Sequence, residues 1–380
     1  MKRHLKIVIA PDSFKGSISA RDAADAIAEG LTVEAKGSAE LELLTVPIAD
    51  GGEGTLDALV SPDAMITCRV TGTGNEPIAA QYGYIGETAV IEMARAAGLT
   101  LVPEERRCAA TATTFGVGEL IKDALDKGFR TLILTVGGSG TNDGGCGMLA
   151  ALGARFWDCD KKSFIPTGGT LDRIDRIDLT ELDPRLGKTR FLIATDVKNP
   201  LCGPYGATRI YARQKGADDV SLDQMESGML HYATLLKTLC GRDVSVVEGC
   251  GAGGGLAAPL LAFCNAEIRS GIDAVLESVA FEEKLKDADA VITGEGKIDL
   301  QSLYGKAISG VANAARAQGI PIYCFVGCVG DDPKQLKALG ISEIYTLSEI
   351  APSPEYSMKH ADLLLKQLAG RFFSSFLAQA

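Results

Sequence analysis

The glycine-rich stretch Val136-Gly-Gly-Ser-Gly-Thr-Asn-Asp-Gly-Gly-Cys-Gly147 decides how the chain is expected to fold. It follows the apolar run Leu132–Val136, which predicts a buried strand, and it precedes Met148–Leu152, which predicts the start of a helix. Glycines in this position let the backbone approach an anion, and the N–H groups of a first helical turn point at it. The sequence therefore predicts an anion-binding loop, and the alternative is a tight structural turn.

Composition limits the class of protein. The chain has 380 residues, of which 46% are hydrophobic, enough for a sizeable core and, by length, two domains. A formal net charge of -11 without a block of like charge argues against a nucleic-acid partner or an anionic membrane. Ten scattered cysteines, no signal peptide and no apolar run of membrane-span length predict a cytoplasmic protein with free thiols.

Two strand–loop–helix units open the chain. In the first, the strand Leu5–Ala10 leads to a loop that holds Asp12, Ser13, Lys15 and Gly16, just before a helix N-terminus. This loop is a reasonable phosphate cradle, although the GxxxxGK[ST] spacing is absent. An ordinary turn with a solvent-facing Lys15 is an equal alternative.

The second unit has the strand Leu41–Ile48, followed by a loop that carries Asp50 and Glu53 among three glycines. Asp favours turns but Glu does not, so turn chemistry alone does not explain both carboxylates. Metal or hydroxyl binding by Asp50 and Glu53 is therefore a serious alternative.

The middle of the chain differs from both ends. Residues 65–93 alternate as short strands with turn signals, which predicts an antiparallel meander and a domain boundary near residue 66. The strand–helix pattern returns at Ala290–Thr293, which is followed by Gly294-Glu-Gly-Lys-Ile-Asp299, and a helix is expected from about Lys306. We therefore expect one domain from residues 1–65 plus 286–380, with residues 66–285 inserted as a second α/β domain.

Five strand ends open into loops with carboxylates, namely Asp12, Asp50 with Glu53, Asp143, Asp196, and Glu295 with Asp299. In open α/β sheets ligands bind beyond the carboxyl ends of the strands. Carboxylates mixed with glycines suit a nucleotide with its Mg²⁺ and a small hydroxylated acceptor. None of the three histidines lies in such a loop, so zinc and Ser-His-Asp chemistry lose support.

The GxGxxG-like run Gly249–Gly255 lacks a preceding strand, which favours helix packing or a substrate-facing turn over a dinucleotide loop.

Several of these segments together resemble the bacterial type I glycerate kinase family. They are Pro11-Asp-Ser-Phe-Lys-Gly-Ser17, Ala49-Asp-Gly-Gly-Glu-Gly-Thr55, Gly137-Gly-Ser-Gly-Thr-Asn-Asp-Gly-Gly145, Asp196-Val-Lys-Asn-Pro-Leu201, Gln214-Lys-Gly-Ala217 and Ile292-Thr-Gly-Glu-Gly-Lys-Ile-Asp299. The resemblance implies an ATP- and Mg²⁺-dependent kinase for D-glycerate, with 2-phosphoglycerate as the expected product. It also implies a flavodoxin/Rossmann-like three-layer domain built from both chain ends, with a second mixed α/β domain inserted. The family usually has Ala where this chain has Gly140, which would make the loop more flexible.

Roles for single residues remain hypotheses at this stage. Asp196 is the preferred general base and Asp299 the second choice, while Lys15 and Lys297 would neutralise phosphate charge. The nucleotide would meet Asp12, Ser13, Lys15, Gly16, Gly294, Glu295, Gly296 and Lys297. The metal would meet Asp50 and Glu53, and glycerate would meet Ser139, Thr141, Asn142, Asp143 and Asn199, with Gly140 leaving room for it. These loops are expected to line an interdomain cleft.

Other functions stay open. They are a kinase for another short hydroxy acid, a kinase that forms 3-phosphoglycerate, and a nucleotide-binding regulator without catalysis. A hydroxy-acid dehydrogenase has less support, because it needs a dinucleotide loop and usually a catalytic histidine. The sequence also leaves open whether two copies form a homodimer.

Overall fold

A computed structural model describes residues 3–52, 54–299, 307–330 and 340–379. We number the described strands in chain order: β1 Arg3–Pro11, β2 Ala39–Thr45, β3 Met65–Thr71, β4 Pro77–Ile85, β5 Thr88–Glu92, β6 Thr131–Thr135, β7 Arg155–Trp157, β8 Ser163–Phe164, β9 Arg176–Asp178, β10 Arg190–Ala194, β11 Glu267–Arg269, β12 Ala290–Ile298, β13 Ile322–Val329 and β14 Ile341–Thr346.

The described helices are α1 Ala20–Glu34, α2 Thr55–Leu59, α3 Ala94–Ala97, α4 Phe115–Asp126, α5 Cys146–Ala151, α6 Ala207–Tyr211, α7 Asp219–Cys240, α8 Ala252–Gly255, α9 Ala257–Phe263, α10 Gly271–Ser278, α11 Phe281–Leu285, α12 Ala307–Ala317, α13 Pro354–Lys359 and α14 Ala361–Gln379. Within the described residues, no helix combines the length and the apolar character that a membrane span requires.

The chain packs into two compact units. The first consists of Met1–Asp50, Asp57–Leu59 and Gly271–Ala380, and the second of Gly51–Leu56 and Val60–Ser270. The sequence placed the breaks near residues 66 and 286 instead. Residues 271–285 join the first unit because α10 packs on α12, where a Cβ on Gly310 would overlap the Ile272 side chain.

The first unit is a three-layer α/β structure. Its five strands are all parallel, in the order β2-β1-β12-β13-β14, which is the flavodoxin order 2-1-3-4-5 when the strands are counted within this unit. Helices α1 and α14 share a core with one face of β1, through Ile7 and Ile9, while α12 packs against β1, β12 and β13. The central strand β12 begins with the buried apolar residues Ala290, Val291 and Ile292, as expected where helices cover both faces of a parallel sheet.

The second unit contains a six-stranded mixed sheet in the order β11-β10-β6-β5-β4-β3. The pairs β3–β4 and β4–β5 are antiparallel, as the meander predicted, and β5, β6, β10 and β11 run parallel. Strands β7, β8 and β9 form a small antiparallel sheet. The predicted fold class, a flavodoxin-like domain from both chain ends with an inserted mixed α/β domain, is confirmed.

Two predicted boundaries differ from the structure. Strand β12 continues through Gly294-Glu-Gly-Lys-Ile298, which the sequence predicted as a loop. It continues because its glycines let β13 approach closely: a Cβ on Gly294 would overlap the Phe325 carbonyl oxygen. The sequence also predicts a single helix from about Glu355 to the C-terminus, but the structure interrupts it at His360, which ends α13 before α14 begins.

Candidate functional site

A cavity of about 720 Å³ lies in the first unit, beyond the carboxyl ends of its strands. It is lined by residues that follow β1 and β14 and by the last residues of β12 and β13. The strand order reverses between β1 and β12, and this switch point is where open α/β sheets bind their ligands. The volume falls within the range of small-molecule and cofactor sites.

Strand geometry brings the polar side of the cavity together. Asp12 follows β1 directly, and its N–H donates to the Gly294 carbonyl at 2.8 Å. Side chains alternate along β12, so Ile298 is buried while Glu295 and Lys297, with Asp299 just beyond the strand, line the cavity. The extension of β12 therefore places two charged groups that a loop would have left unordered.

Among the residues that line this cavity, the Asp12 carboxyl group has a strongly shifted pKa. It is 7% exposed, and burial raises its pKa to about 7. The neighbouring carboxylates Asp50 and Glu295 raise the pKa further, while the Ser13 N–H, which donates to Asp12 at 2.6 Å, and Lys15 oppose the shift. An acid that titrates near neutrality in a cleft is a candidate functional group.

Two lysines line the cavity. Lys15 Nζ lies 3.9 Å from the Asp50 carboxylate, and Lys297 Nζ lies 3.8 Å from the Asp299 carboxylate. Both lysine side chains are exposed, at 82% and 59%, so these pairs are weak and each lysine can turn toward an incoming anion.

Another part of the cavity lining is largely apolar. It comes from the segment after β14 and contains Leu347, Ala351, Pro352, Pro354 and Met358, together with Ser348, Ser353 and Ser357. The Ser17 hydroxyl donates to the Met358 carbonyl oxygen at 2.6 Å and ties this segment to the loop that follows β1. The cavity lining thus combines charged groups with an apolar set of residues that suits a flat apolar group.

Most of the first-unit residues that the sequence singled out reach this cavity. The lining includes Asp12, Ser13, Lys15, Asp50, Glu295, Gly296, Lys297 and Asp299. Gly16 and Gly294 are not part of the lining: Gly16 takes the left-handed conformation that its turn requires, at φ 77°, and Gly294 lies within the sheet. Glu53 lies outside the described residues.

The loop that follows β6 was expected to leave the first N–H groups of α5 free for a ligand, and the structure shows otherwise. The buried Asp143 carboxylate accepts hydrogen bonds from the Thr114 N–H and hydroxyl, both at 2.8 Å, and from the N–H groups of Gly145 and Gly147 at 3.1 and 3.2 Å. The Met148 N–H donates to the Thr114 hydroxyl at 2.9 Å. The anion at the N-terminus of α5 is therefore the chain's own Asp143, and these donors are not available to a ligand.

The predicted acceptor residues in the second unit have different surroundings. Thr141, Asn142 and Asp143 are fully buried, and Ser139 is buried too, with 9% of its surface exposed. The Asn142 amide donates to the Thr208 hydroxyl at 3.0 Å. Gly140 leaves no room, contrary to expectation, because a Cβ there would lie 2.9 Å from the Gly98 carbonyl oxygen.

The loop that follows β10 carries two further predicted residues. Asp196 is exposed, two residues beyond the strand. The Asn199 amide is already held: it donates to the Tyr205 carbonyl at 2.7 Å and accepts from the Tyr211 hydroxyl at 2.8 Å. The structure therefore leaves the Asp196 carboxylate more accessible than the Asn199 side chain.

The sequence reasoning missed two buried charged residues. Glu92 is 1% exposed and accepts from the N–H groups of Gly54 and Leu56, at 2.9 and 3.2 Å, which fixes the chain on either side of Thr55. Lys215 is 2% exposed and donates to the Ser139 hydroxyl and the Thr141 carbonyl, both at 2.7 Å. The Gln214-Lys-Gly-Ala217 segment was noted without a role, and a lone lysine beside small residues was the signal that could have found it.

The glycine run Gly249–Gly255 packs against the same loop. Gly253, Gly254 and Gly255 have left-handed φ values of 63°, 71° and 89°. A Cβ on Gly254 would overlap the Thr141 carbonyl oxygen, and the Gly144 N–H donates to the Gly254 carbonyl at 3.0 Å. The run therefore packs closely against the backbone of the loop that follows β6.

Gly254→Ala is expected to destabilise the second unit by about 1–3 kcal/mol more than Gly241→Ala. Both positions have nearly the same left-handed φ, 71° and 73°, but Gly241 has no atom within 4 Å of the added methyl group. The difference between the variants therefore isolates the clash with Thr141. Urea unfolding followed by the fluorescence of Trp157, the single tryptophan, measures it in this unit. Equal destabilisation would contradict the close packing.

Fold and cavity together define the class: an α/β protein with a ligand cavity at the switch point of a flavodoxin-like sheet. The chain matches the glycerate kinase family model over residues 7–377. It is 43% identical to glycerate kinase from Bacillus subtilis over 96% of both chains, and 42% identical to glycerate 2-kinase from Escherichia coli over 90% of both. A crystal structure from Salmonella typhimurium LT2, to which a glycerate kinase 2 activity has been attributed, has a TM-score of 0.87 and 39% identity, with 99% of each chain covered.

The chain therefore belongs to the glycerate kinase family, and it is an enzyme of the kinase class.

Proposed function

We propose that this chain transfers the γ-phosphoryl group of ATP to D-glycerate and forms 2-phosphoglycerate. The observation that carries the proposal is the first-unit cavity, whose lining combines lysines and carboxylates with an apolar set of residues. The name of the relative from Escherichia coli, glycerate 2-kinase, supports the position of the phosphate in the product. The predicted interdomain cleft, the cytoplasmic location and the homodimer stay predictions.

The nucleotide would occupy the cavity of the first unit. The apolar part of the lining, with Leu347, Pro352 and Met358, suits a purine base, and Lys15 and Lys297 suit the phosphates. Transfer of a phosphoryl group needs little covalent chemistry from the protein, so positioning and charge neutralisation would supply most of the rate enhancement.

The donor set of the cavity fits Mg²⁺ as well. Mg²⁺ is held by one or two carboxylates together with substrate phosphates and water. Asp12 and Asp50 line the cavity, and their negative charges influence each other. They are therefore the described residues that would hold the ion, which when bound neutralises charge on the phosphates. Within the described residues no group of three or more His, Cys, Asp or Glu side chains could hold a metal by itself, so a phosphate would complete the coordination.

Glycerate would bind at the loop of the second unit, where Ser139, which is 9% exposed, offers its hydroxyl. We assign Asp143 a positioning role, because its carboxylate already accepts four hydrogen bonds from the protein itself. Thr141 and Asn142 would act with it, since they are buried too. Asn199 would hold the loop after β10 through its two tyrosine contacts rather than touch glycerate.

Asp196→Asn is expected to lower kcat by on the order of 10²-fold or more, with ATP affinity unchanged, because an amide cannot take the proton of the attacking hydroxyl. Asp299 is the second candidate for this base, and Asp299→Asn provides the comparison. Asp175→Asn, which changes an exposed carboxylate of the second unit, is the matched control. Steady-state kinetics with separate titrations of ATP and glycerate measure the effect, and near-normal turnover would exclude Asp196 as the base.

A coupled assay of ADP release against a panel of short hydroxy acids tests the proposed function. We expect release that depends on D-glycerate, and an NMR spectrum of the product should show the phosphate on C2. A phosphate on C3 would correct the product, and preference for another acid would correct the acceptor. Binding of ATP without glycerate-dependent release would favour a nucleotide-binding regulator instead.

A further inference from the structure

Lys215 is a buried cation whose only described hydrogen-bond partners belong to one loop. Its Nζ donates to the Ser139 hydroxyl and to the Thr141 carbonyl oxygen, both at 2.7 Å, and within the described part of the chain no carboxylate lies within ion-pair distance of it. Burial of a lysine without an ion pair destabilises a fold. A lysine retained under this penalty points to a role other than stability.

The position of Lys215 is set by a turn that tolerates only glycine. Lys215 ends a short 3₁₀ turn, and Gly216 follows it with a left-handed φ of 92°. A Cβ on Gly216 would overlap the Arg107 carbonyl oxygen, so the turn is pressed against that segment. The ammonium group is thereby directed to the loop that follows β6.

The Ser139 hydroxyl is left with a proton to donate. In the protonated form of Lys215 the ammonium group only donates hydrogen bonds, so Ser139 Oγ is then the acceptor from Lys215. Within the described residues no group accepts the remaining Ser139 proton. Ser139 is buried, with 9% of its surface exposed, and it adjoins the exposed Gly138. A hydroxyl that is polarised by a cation and retains a proton to donate is a donor for an anionic ligand.

A second observation points to a ligand at the same loop. The Thr141 hydroxyl and the Asn142 side-chain oxygen are buried, and neither has a hydrogen-bond partner within the described structure. Unsatisfied buried polar groups are rare in folded proteins and call for an explanation. Both residues adjoin the backbone that Lys215 holds, so ligand-induced adjustment of this loop would provide them with partners.

We propose that Lys215 is a positioning residue that polarises the Ser139 hydroxyl toward the carboxylate of glycerate, so that binding of the acid is coupled to proton uptake by Lys215. This inference rests on the proposed function and adds to it the group that recognises the acid and the linkage to protons. The step is a protonation without other covalent chemistry: an N–H bond forms at Lys215 Nζ, and the bond to that proton breaks in hydronium or the buffer acid.

The charges around Lys215 set the sign of the coupling. Burial lowers the pKa of Lys215 to about 7, and the Asp143 carboxylate opposes this shift. In the adjoining segments, Arg107 is partly exposed and Arg213 pairs with Asp219. An anion at Ser139 raises the pKa of Lys215 again and therefore draws a proton. Binding of glycerate should tighten as the pH falls from 8 to 6, because the acid itself stays ionised throughout.

Isothermal titration of the whole protein with D-glycerate tests this coupling, at pH 7.5 and with a non-hydrolysable ATP analogue present. Two buffers of different ionisation enthalpy give the number of protons taken up. We expect a fractional uptake in the wild type that disappears in Lys215→Met, with about tenfold to hundredfold weaker binding and a flat pH profile. Lys237→Met, which removes an exposed lysine from α7, should retain the wild-type uptake.

Ser139→Ala decides the case if Lys215→Met does not fold, as judged by circular dichroism. It keeps the cation but removes the polarised hydroxyl, so glycerate should again bind at least tenfold more weakly. Wild-type proton uptake and affinity in Lys215→Met, or wild-type affinity in Ser139→Ala, would overturn the inference alone. Wild-type protein that neither binds nor phosphorylates glycerate would overturn the proposed function, and this inference with it.

Discussion

Asp12→Asn should lower kcat by on the order of 10²-fold or more while it stabilises the first unit at alkaline pH. The activity is expected to fall because the proposed nucleotide cavity loses the carboxylate that lies at its switch point. The wild-type rate should also rise with pH through the range in which Asp12 ionises. Steady-state kinetics from pH 5.5 to 8.5 measure both effects.

The expected gain in stability follows from the sign of the shift. The pKa of Asp12 is raised from 3.8 to about 7, so the folded protein binds the proton more tightly than the unfolded chain. Wild-type stability is therefore lost as the pH rises from about 4 through 7, by on the order of 2–4 kcal/mol. Asp12→Asn avoids this loss. Urea unfolding followed by circular dichroism should show the variant as more stable at pH 8 but not near pH 4.

Asp25→Asn is the matched control, because Asp25 is an exposed carboxylate on α1 of the same unit. It should change neither kcat nor the pH dependence of unfolding. An active Asp12→Asn variant, or equal stability of the variant and wild type at pH 8, would show that the Asp12 carboxylate is not the perturbed functional group.

Asp143→Ala should destabilise the second unit by about 3–5 kcal/mol. The substitution leaves four buried donors without an acceptor, two on Thr114 and one each on Gly145 and Gly147. Asp143→Asn should be less damaging, since one oxygen remains to accept. The fluorescence of Trp157 in urea follows this unit without interference from the other.

Asp223→Ala is the control for this experiment. Asp223 forms a surface ion pair with Arg209 and is 76% exposed, so its loss should be worth less than about 1 kcal/mol. If Asp143→Ala unfolds like the wild type but binds glycerate poorly, the carboxylate contacts the substrate, as the sequence had predicted, and the positioning role is wrong.

The local hydrophobic pattern of the sequence was sufficient to predict several strands of the fold. The apolar runs of β1, β6 and β10 are buried strands, and the alternation in residues 65–93 forms the predicted meander. These predictions succeed because strand and helix periodicity is a property of neighbouring residues. The extension of β12 was missed because its glycines indicate a loop locally, whereas the close approach of β13 makes them part of the sheet.

The residues of the candidate site could be predicted only in part from the same local sequence patterns. Asp12, Lys15, Glu295, Lys297 and Asp299 could be singled out because each follows or ends a predicted strand, and the structure gathers them at one cavity. Asp143 was singled out for the same reason, yet the structure buries it. Residue type and loop position identify a carboxylate at a strand end, but they do not tell whether a ligand or the protein supplies its donors.

The sequence by itself determined the α/β class, the two-unit organisation in outline and the glycine-rich loop that begins at Val136. Only the tertiary structure decided what that loop does. Its carboxylate bonds Thr114, 29 residues away, and its Ser139 hydroxyl bonds Lys215, 76 residues away. Hydrogen-bond partners at such separations are chosen by packing and desolvation, which no local pattern records. Local patterns therefore predicted an anion at the N-terminus of α5, and the folded chain supplied its own.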